Sequence, residues 1–77
     1  MVGLPQKLGA NVRDARRQRG WTQEELSAKT DLAVVQISRI ERGKREIRLG
    51  TLIRLLDGLE IPPEVLLRGL YEDHSKR

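Results

Sequence analysis

The sequence contains no cysteine and no phenylalanine, and it has one histidine, one tryptophan and one tyrosine in 77 residues. Without cysteine the chain can form neither a disulfide nor a thiolate metal site. The scarcity of aromatic side chains argues against proteins that stack single-stranded bases on aromatic rings. The first residues lack the apolar run of a signal peptide, and no stretch approaches the roughly 20 apolar residues of a membrane span. We therefore expect a cytoplasmic protein that does not contact a membrane.

The chain has room for one small domain, over residues 1–77, and none for a separate catalytic or ligand-binding domain. Its only histidine, His74, lies in a tail of residues 72–77 that we expect to be frayed. A glycine-rich loop that could cradle phosphates is also absent. We therefore expect no enzyme activity, and no cofactor, metal site or small-molecule ligand.

Positive charge, by contrast, is abundant. The chain has 15 Lys and Arg residues against 11 Asp and Glu, which gives a net charge of +4. A basic surface favours nucleic acid or an anionic membrane surface as the partner. Since the basic and the apolar faces fall on different predicted helices, the membrane is the weaker of these two alternatives.

Apolar residues recur at spacings of three and four along almost the whole chain, and alternating runs are absent. This periodicity predicts an all-α domain of five helices. The expected ranges are about 6–19, 22–29, 34–42, 49–59 and from Pro63 onward, since proline suits the first position of a helix. On the fourth helix we expect a core stripe that comprises Leu49, Leu52, Leu55, Leu56 and Leu59.

Residues 21–43 are predicted to form two short helices joined by a tight turn, a helix-turn-helix over about 22–42. Thr22 and Glu25 have the spacing of a capping box, which marks the start of the first of these helices. Asp31 is one of the few residue types besides glycine that tolerate the left-handed conformation of such a turn.

The outward face of the third helix carries groups that can read base edges. Ile37 and Ile40 point to one side of this helix, toward the predicted core. The other side carries Val35, Gln36, Ser38, Arg39 and Arg42. Arginine pairs with guanine, glutamine with adenine, and apolar methyl groups contact the thymine methyl. Gln23, at the start of the preceding helix, can reach a phosphate or a base edge.

Basic residues surround this face. The loop after the third helix reads KREIR, and it completes a run of five cations within ten residues: Arg39, Arg42, Lys44, Arg45 and Arg48. Because this run lies beside a basic helix face, we expect it to contact the phosphate backbone. Arg13 and Arg17 point away from the apolar stripe of the first helix, which fits either a solvated face or phosphate contact.

Glu41 flanks the inward face of the third helix rather than the exposed one. A carboxylate in that position needs a partner when it is buried. We therefore expect a structural ion pair between Glu41 and Arg16.

The fifth helix is apolar nearly all round, over about residues 63–71. We expect Leu66 and Leu70 to enter the core. Its remaining apolar residues must then face something other than the core of so small a domain. An exposed apolar patch of this kind marks an interface, and we assign a dimer interface to Ile53, Leu67 and Tyr71.

These residues together resemble a known family. The stretches Thr22-Gln23-Glu24-Glu25-Leu26 and Ile37-Ser38-Arg39-Ile40-Glu41-Arg42-Gly43 look like the Xre/Cro type of helix-turn-helix, the lambda-repressor-like DNA-binding domains. The resemblance covers Leu8 to about Leu70, and the absence of a second domain is similar to restriction-modification controller proteins and small phage repressors. It implies a compact five-helix domain that binds operator DNA as a dimer.

The resemblance also implies roles for single residues. The DNA-contacting positions of the second and third helices match Gln23, Val34, Val35, Gln36, Ser38 and Arg39. Arg42 and Lys44 match positions that contact the DNA backbone, and Arg16 with Glu41 matches a buried ion pair. Two departures stand out: Ala33 replaces the usual Ser or Thr cap of the third helix, and Val34 and Val35 replace polar base readers, which favours thymine-methyl contacts.

The resulting hypothesis is a sequence-specific transcriptional regulator. It acts as a homodimer on a palindromic operator in double-stranded DNA, and it works in the cytoplasm at the nucleoid. The alternative is an antitoxin or adaptor module of the same fold that works mainly through protein contact, since a fold alone does not settle function.

Overall fold

The structure is a computed structural model that describes residues 3–70. Within this range it contains five α-helices and no strand. The helices are α1 Leu4–Gln18, α2 Gln23–Thr30, α3 Val34–Glu41, α4 Leu49–Leu59 and α5 Pro63–Leu66. The prediction of a compact all-α domain of five helices is therefore confirmed.

One hydrophobic core joins all five helices. Its buried members come from each helix and from the turn before α3: Leu8, Val12, Ala15, Leu26, Leu32, Ile37, Ile40, Leu55, Leu59 and Leu66. Within this core α1 packs on α3, and α2 packs on both α3 and α4. The helix-turn-helix pair is therefore held from two sides.

Local signals set the helix ends as the sequence predicted. Thr22 Oγ1 accepts a hydrogen bond from the Glu25 amide at 3.1 Å, and the Glu25 carboxylate accepts one from the Thr22 amide at 2.7 Å. This completes the predicted capping box. Asp31 has φ 62° and ends α2 in the left-handed region, while Gly20, with φ 73°, ends α1.

Two glycines allow helices to approach closely. A Cβ atom on Gly9 would overlap the carbonyl oxygen of Ile40, so α1 lies directly against the end of α3. A Cβ atom on Gly58 would lie 2.9 Å from the carbonyl oxygen of Lys29, so α4 lies directly against the end of α2. These two contacts fix the helix-turn-helix between α1 and α4.

The predicted stripe of α4 is wrong at its first residue. Leu49 is 73% exposed and takes no part in the core. The reason is that Ile47 in the preceding loop packs against the core instead, so Leu49, in the first turn of α4, lies beyond the edge of the core. Leu52 and Leu56 pack against the core at its edge, and the remaining two leucines of the stripe are buried.

The predicted extent of the fifth helix, to about residue 71, and the predicted exposure of Leu67 also need correction. α5 ends at Leu66, and Gly69 adopts φ 84° in the turns that follow, so helical spacing does not extend to Leu67. Leu67 is consequently half-buried against the core rather than exposed. Ile53 is 55% exposed, as expected. Tyr71 and the tail of residues 72–77 lie outside the described residues.

Candidate nucleic-acid interface

The outward face of α3 has the composition that the sequence indicated. Val35 is 61% exposed, and Gln36 and Arg39 are exposed beside it. Val34 and Ser38 are half-buried at the two edges of this face. The helix begins at Val34 after Ala33, whose side chain makes no cap hydrogen bond. Methyl, amide and guanidinium groups therefore lie together at the surface.

A cavity of about 430 Å³ opens between α3 and the start of α4, and we call it the α3–α4 cavity. It brings the exposed face of α3 together with part of the basic loop. Six polar or exposed side chains of its lining come from α3, the basic loop and the start of α4: Val35, Gln36, Arg39, Arg45, Arg48 and Thr51. Thr51 was not predicted, because its position near α3 depends on how α4 packs against α2. Glu46 also lines the cavity and is its one acidic group among residues 3–70.

A second depression of about 220 Å³ lies where α1, the start of α2 and α3 meet, and we call it the basic cleft. Its lining includes three of the predicted phosphate-binding residues, namely Arg13, Arg17 and Arg42. Gln23 and Ser38, which were predicted to read bases, line this cleft as well. Lys44 is exposed just after α3 but lines neither depression.

The predicted ion pair between Arg16 and Glu41 is present at the floor of the basic cleft. Arg16 Nε donates to Glu41 Oε2 at 2.7 Å, and a second guanidinium nitrogen donates to Oε1 at 3.0 Å. The side chains are 12% and 4% exposed. A third donation, at 2.8 Å, reaches the carbonyl oxygen of Trp21, which ties the loop before α2 to α1.

This arrangement raises the pKa of Arg16 above its ordinary value, because the hydrogen bond to Glu41 outweighs the opposing effect of burial. A raised pKa of a cationic group stabilises the fold at every pH below its unfolded value, and the contribution is lost only as the pH rises through the folded value. The contribution of Arg16 is therefore constant through the neutral range.

Glu41 also holds Gln23. The Gln23 side-chain nitrogen donates to Glu41 Oε1 at 3.2 Å. A carboxylate accepts hydrogen bonds and cannot donate them, so the amide nitrogen of Gln23 must be the atom that faces it. The amide oxygen and the second N–H of Gln23 then remain for the cleft. This contact was not predicted, because it requires three helices to meet at one carboxylate.

Two further kinds of feature were sought within residues 3–70, a metal site and a membrane-spanning helix. No group of three or more His, Cys, Asp or Glu residues in that range could hold a metal ion. Each helix in the same range is also too short or too polar to cross a membrane.

The chain belongs to the Xre-type helix-turn-helix family of DNA-binding transcription regulators. The model of this family, described as helix-turn-helix, matches residues 12–66. Similar curated proteins are uncharacterized HTH-type transcriptional regulators of Mycobacterium bovis and Mycobacterium tuberculosis. Each is 33% identical over 65 residues, which is 84% of this chain and 25% of the relative. The chain thus spans about a quarter of the length of these relatives.

Solved structures of one controller protein have the same fold. The wild-type restriction-modification controller protein C.Esp1396I is 30% identical, with a TM-score of 0.81 over the whole of both chains. The same protein as a tetramer in complex with its natural 35-base-pair operator matches with a TM-score of 0.80 and 30% identity. That match covers 95% of this chain and 96% of the controller.

Proposed function

We propose that this chain is a single-domain regulator that binds a palindromic operator in double-stranded DNA as a homodimer, at the nucleoid in the cytoplasm. The observation that carries the proposal is the outward face of α3. It places Val35, Gln36 and Arg39 at the surface of a short helix that a buried core holds rigidly from behind. A helix of this kind enters the major groove in helix-turn-helix proteins.

The side chains of this face suit different bases. Arg39 supplies the guanidinium that suits guanine, and Gln36 supplies the amide that suits adenine. Val35 offers methyl groups to a thymine methyl, and Val34, at the edge of the face, adds to that apolar surface. Thr51, across the α3–α4 cavity, has a hydroxyl that can serve a base or a phosphate.

The remaining cations hold the DNA backbone. Arg13, Arg17 and Arg42 surround the basic cleft, which opens beside the first turn of α2. Free backbone N–H groups at such a helix start add to the attraction for phosphate. We assign Gln23 and Ser38 to the phosphate that these three arginines would bind, because both residues line the same cleft.

A second set of phosphate contacts comes from the loop after α3, where Lys44, Arg45 and Arg48 are exposed. The two sets lie on either side of the exposed face of α3, so they can engage phosphates on both sides of one major groove. Phosphate contacts fix the register of a protein on DNA but do not read its sequence.

Two copies are needed for a palindromic site, since a two-fold dimer presents two recognition helices to two inverted half-sites. Support comes from the similar controller protein, which binds its operator as an oligomer. In this arrangement the half-sites would lie about 34–36 Å apart, one turn of the DNA helix.

Selection of bound sequences from random duplex DNA tests this function directly. The expected result is an enriched inverted repeat, with guanine, adenine or thymine at the positions that α3 faces. Failure to enrich any sequence, while the purified protein remains folded, would contradict it.

The alternative, an antitoxin or adaptor that works mainly through protein contact, has a different salt dependence. Affinity for DNA should fall by orders of magnitude between about 50 and 200 mM salt if six or more phosphates are contacted. A DNA affinity that is weak at low salt and insensitive to added salt would favour the alternative.

A further inference from the structure

Two uncharged polar side chains, those of Gln23 and Ser38, line the basic cleft among four arginines and one acid. They differ in how they are held. The side-chain nitrogen of Gln23 donates to Glu41 Oε1 at 3.2 Å. The Ser38 hydroxyl makes no hydrogen bond within residues 3–70. Of these two groups, therefore, only Gln23 is fastened to the protein.

The acceptor that holds Gln23 is itself fixed. The Glu41 side chain is 4% exposed, and Arg16 donates to both of its oxygens, at 2.7 and 3.0 Å. A further donation from Arg16, to the carbonyl oxygen of Trp21, fixes the guanidinium in turn. Hydrogen bonds to an ionised group are also stronger than those between neutral groups. Gln23 is thus tied to an acceptor that is both buried and charged.

The charge of Glu41 does not spoil the cleft for a phosphate. Arg16 balances it in the ion pair, while Arg13, Arg17 and Arg42 keep the lining positive. Because one N–H of Gln23 is bound inward to the carboxylate, its second N–H is the donor that remains for the cleft. A phosphate oxygen accepts hydrogen bonds, so this N–H is the atom through which Gln23 can bind it.

Gln36 provides a contrast within the same molecule. It is exposed on α3, and its side chain makes no hydrogen bond within residues 3–70. A long side chain of this kind must be ordered when it binds, and that ordering weakens the binding. Gln23 has the same side chain, but its contact with Glu41 orders it in the free protein. The cost of ordering Gln23 therefore falls on folding rather than on binding.

We propose that Glu41 is a positioning residue for DNA binding: it holds the Gln23 amide so that the second N–H is directed at a backbone phosphate before DNA arrives. This gives Glu41 a role beyond its ion pair with Arg16. The proposal rests on the proposed DNA-binding function, because the phosphate is that of the DNA.

NMR relaxation of the side-chain amide groups in the free wild-type protein tests the positioning without DNA. We expect the order parameter of the Gln23 amide to approach that of a rigid backbone, about 0.85, and that of Gln36 to lie below about 0.6. Values below about 0.6 for both residues would overturn the proposal.

Glu41→Asp separates positioning from the ion pair. It keeps the charge that Arg16 needs, but the side chain is shorter by one methylene and withdraws from Gln23, whose contact is the longest of the three that Glu41 accepts. Affinity for operator and for random duplex should fall alike, by about two- to tenfold, as when one long side chain must be ordered on binding.

The same substitution in a Gln23→Ala background should change DNA affinity by less than about twofold, because no amide is left to position. An equal loss in both backgrounds would show that Glu41 acts through the fold alone, and no loss in either would show that the contact does not matter. Each of these results would overturn the proposal.

Ser38→Ala is the matched control background. Ser38 lines the same cleft and lies on the same helix as Glu41, but it is not bonded to the carboxylate. In this background Glu41→Asp should keep its full two- to tenfold effect. If the effect disappears here as well, Glu41 shapes the whole cleft and the proposal fails. Circular dichroism checks that each variant is folded, and if Glu41→Asp is not, the order parameters of the wild type decide.

Failure here is separable from failure of the proposed function. If the wild type selects an inverted repeat while Gln23→Ala binds it as tightly as the wild type, the DNA-binding function stands and the positioning role falls. If no DNA is bound at all, the DNA-binding function falls, and with it the phosphate that Gln23 is proposed to meet.

Discussion

The basic cleft and the α3–α4 cavity each bring arginines together beside α3, but they are built differently. In the cleft the arginines lie on α1 and α3 around a buried ion pair, and Glu41 accepts hydrogen bonds from both Arg16 and Gln23. In the cavity, Arg45 and Arg48 lie on a loop. No backbone–backbone hydrogen bond joins residues 45–47 to the rest of residues 3–70, and Ile47 is their anchor in the core.

The two depressions also differ in what they offer to DNA. The cleft presents cations, an amide and a hydroxyl, which suit a phosphate. The cavity presents in addition the methyl groups of Val35 and the amide of Gln36, which suit base edges. The difference suggests a division of labour, in which the rigid cleft supplies affinity and register while the cavity supplies specificity. Each of the following predictions tests that division.

The largest expected effect is on the free energy of unfolding, through the ion pair at the floor of the cleft. Glu41→Ala leaves the Arg16 guanidinium without its partner, although that side chain is only 12% exposed. Removal of one member of a buried pair costs about 3–5 kcal/mol, so the free energy of unfolding in urea should fall by that amount. Glu64→Ala is the control, because Glu64 is exposed in the first turn of α5. Equal stability of the two variants would show that the pair does not hold the cleft.

The next effect is on specificity. Arg39→Ala should lower operator affinity by about 1–3 kcal/mol and should leave binding to random DNA almost unchanged. Gel-shift titrations on the selected operator and on a scrambled duplex measure both quantities. An equal loss on the two duplexes would move Arg39 from base reading to phosphate contact.

A gain in stability should come from the missing cap of α3. Ala33 has the extended backbone of a cap residue, φ −66° and ψ 148°, but its side chain makes no hydrogen bond. Ala33→Ser should therefore raise the free energy of unfolding by about 1 kcal/mol. Ala33→Val, which cannot accept a hydrogen bond from the helix start, is the control. If serine gives no gain over valine, then the start of α3 is already satisfied in another way.

The smallest effect is on the cleft as a phosphate site. Arg17→Ala should weaken binding to operator and to random DNA alike, and should reduce the slope of log affinity against log salt by about 0.9. Arg54→Ala is the control. It removes an exposed arginine that lines neither depression, so the slope should stay unchanged. A change in sequence preference in Arg17→Ala, with the slope intact, would contradict the assignment of the cleft to phosphate.

Signals within a few residues of one another allowed much of this fold to be predicted. The pair Thr22 and Glu25 marked the start of α2, Asp31 marked its end, and Pro63 marked the start of α5, because each acts through local backbone chemistry. Burial predicted from helical periodicity was wrong near the ends of helices, because a periodic pattern assumes that the helix and the core beside it both continue. Leu67 was misplaced for that reason, since α5 ends at Leu66. Leu49 lies on the continuous helix α4, but beyond the edge of the core, which periodicity within one helix does not reveal.

Contacts between distant residues could be predicted only in part. The pair of Arg16 and Glu41 was expected, since a carboxylate that flanks the inward face of a helix needs a partner. The additional donation from Gln23 was missed, as were the two hydrogen bonds from Asn11 to the carbonyl oxygens of Leu66 and Arg68. An amide on the surface of a predicted helix carries no sign of which distant backbone it will meet.

The most direct test of the division of labour repeats the random-DNA selection with two variants beside the wild type. The wild type should enrich an inverted repeat, and Arg17→Ala should enrich the same repeat with lower affinity. Arg39→Ala should enrich a repeat that has lost its preference at one position of each half-site. If Arg39→Ala keeps the full motif while Arg17→Ala alters it, the cleft reads the sequence and the cavity does not.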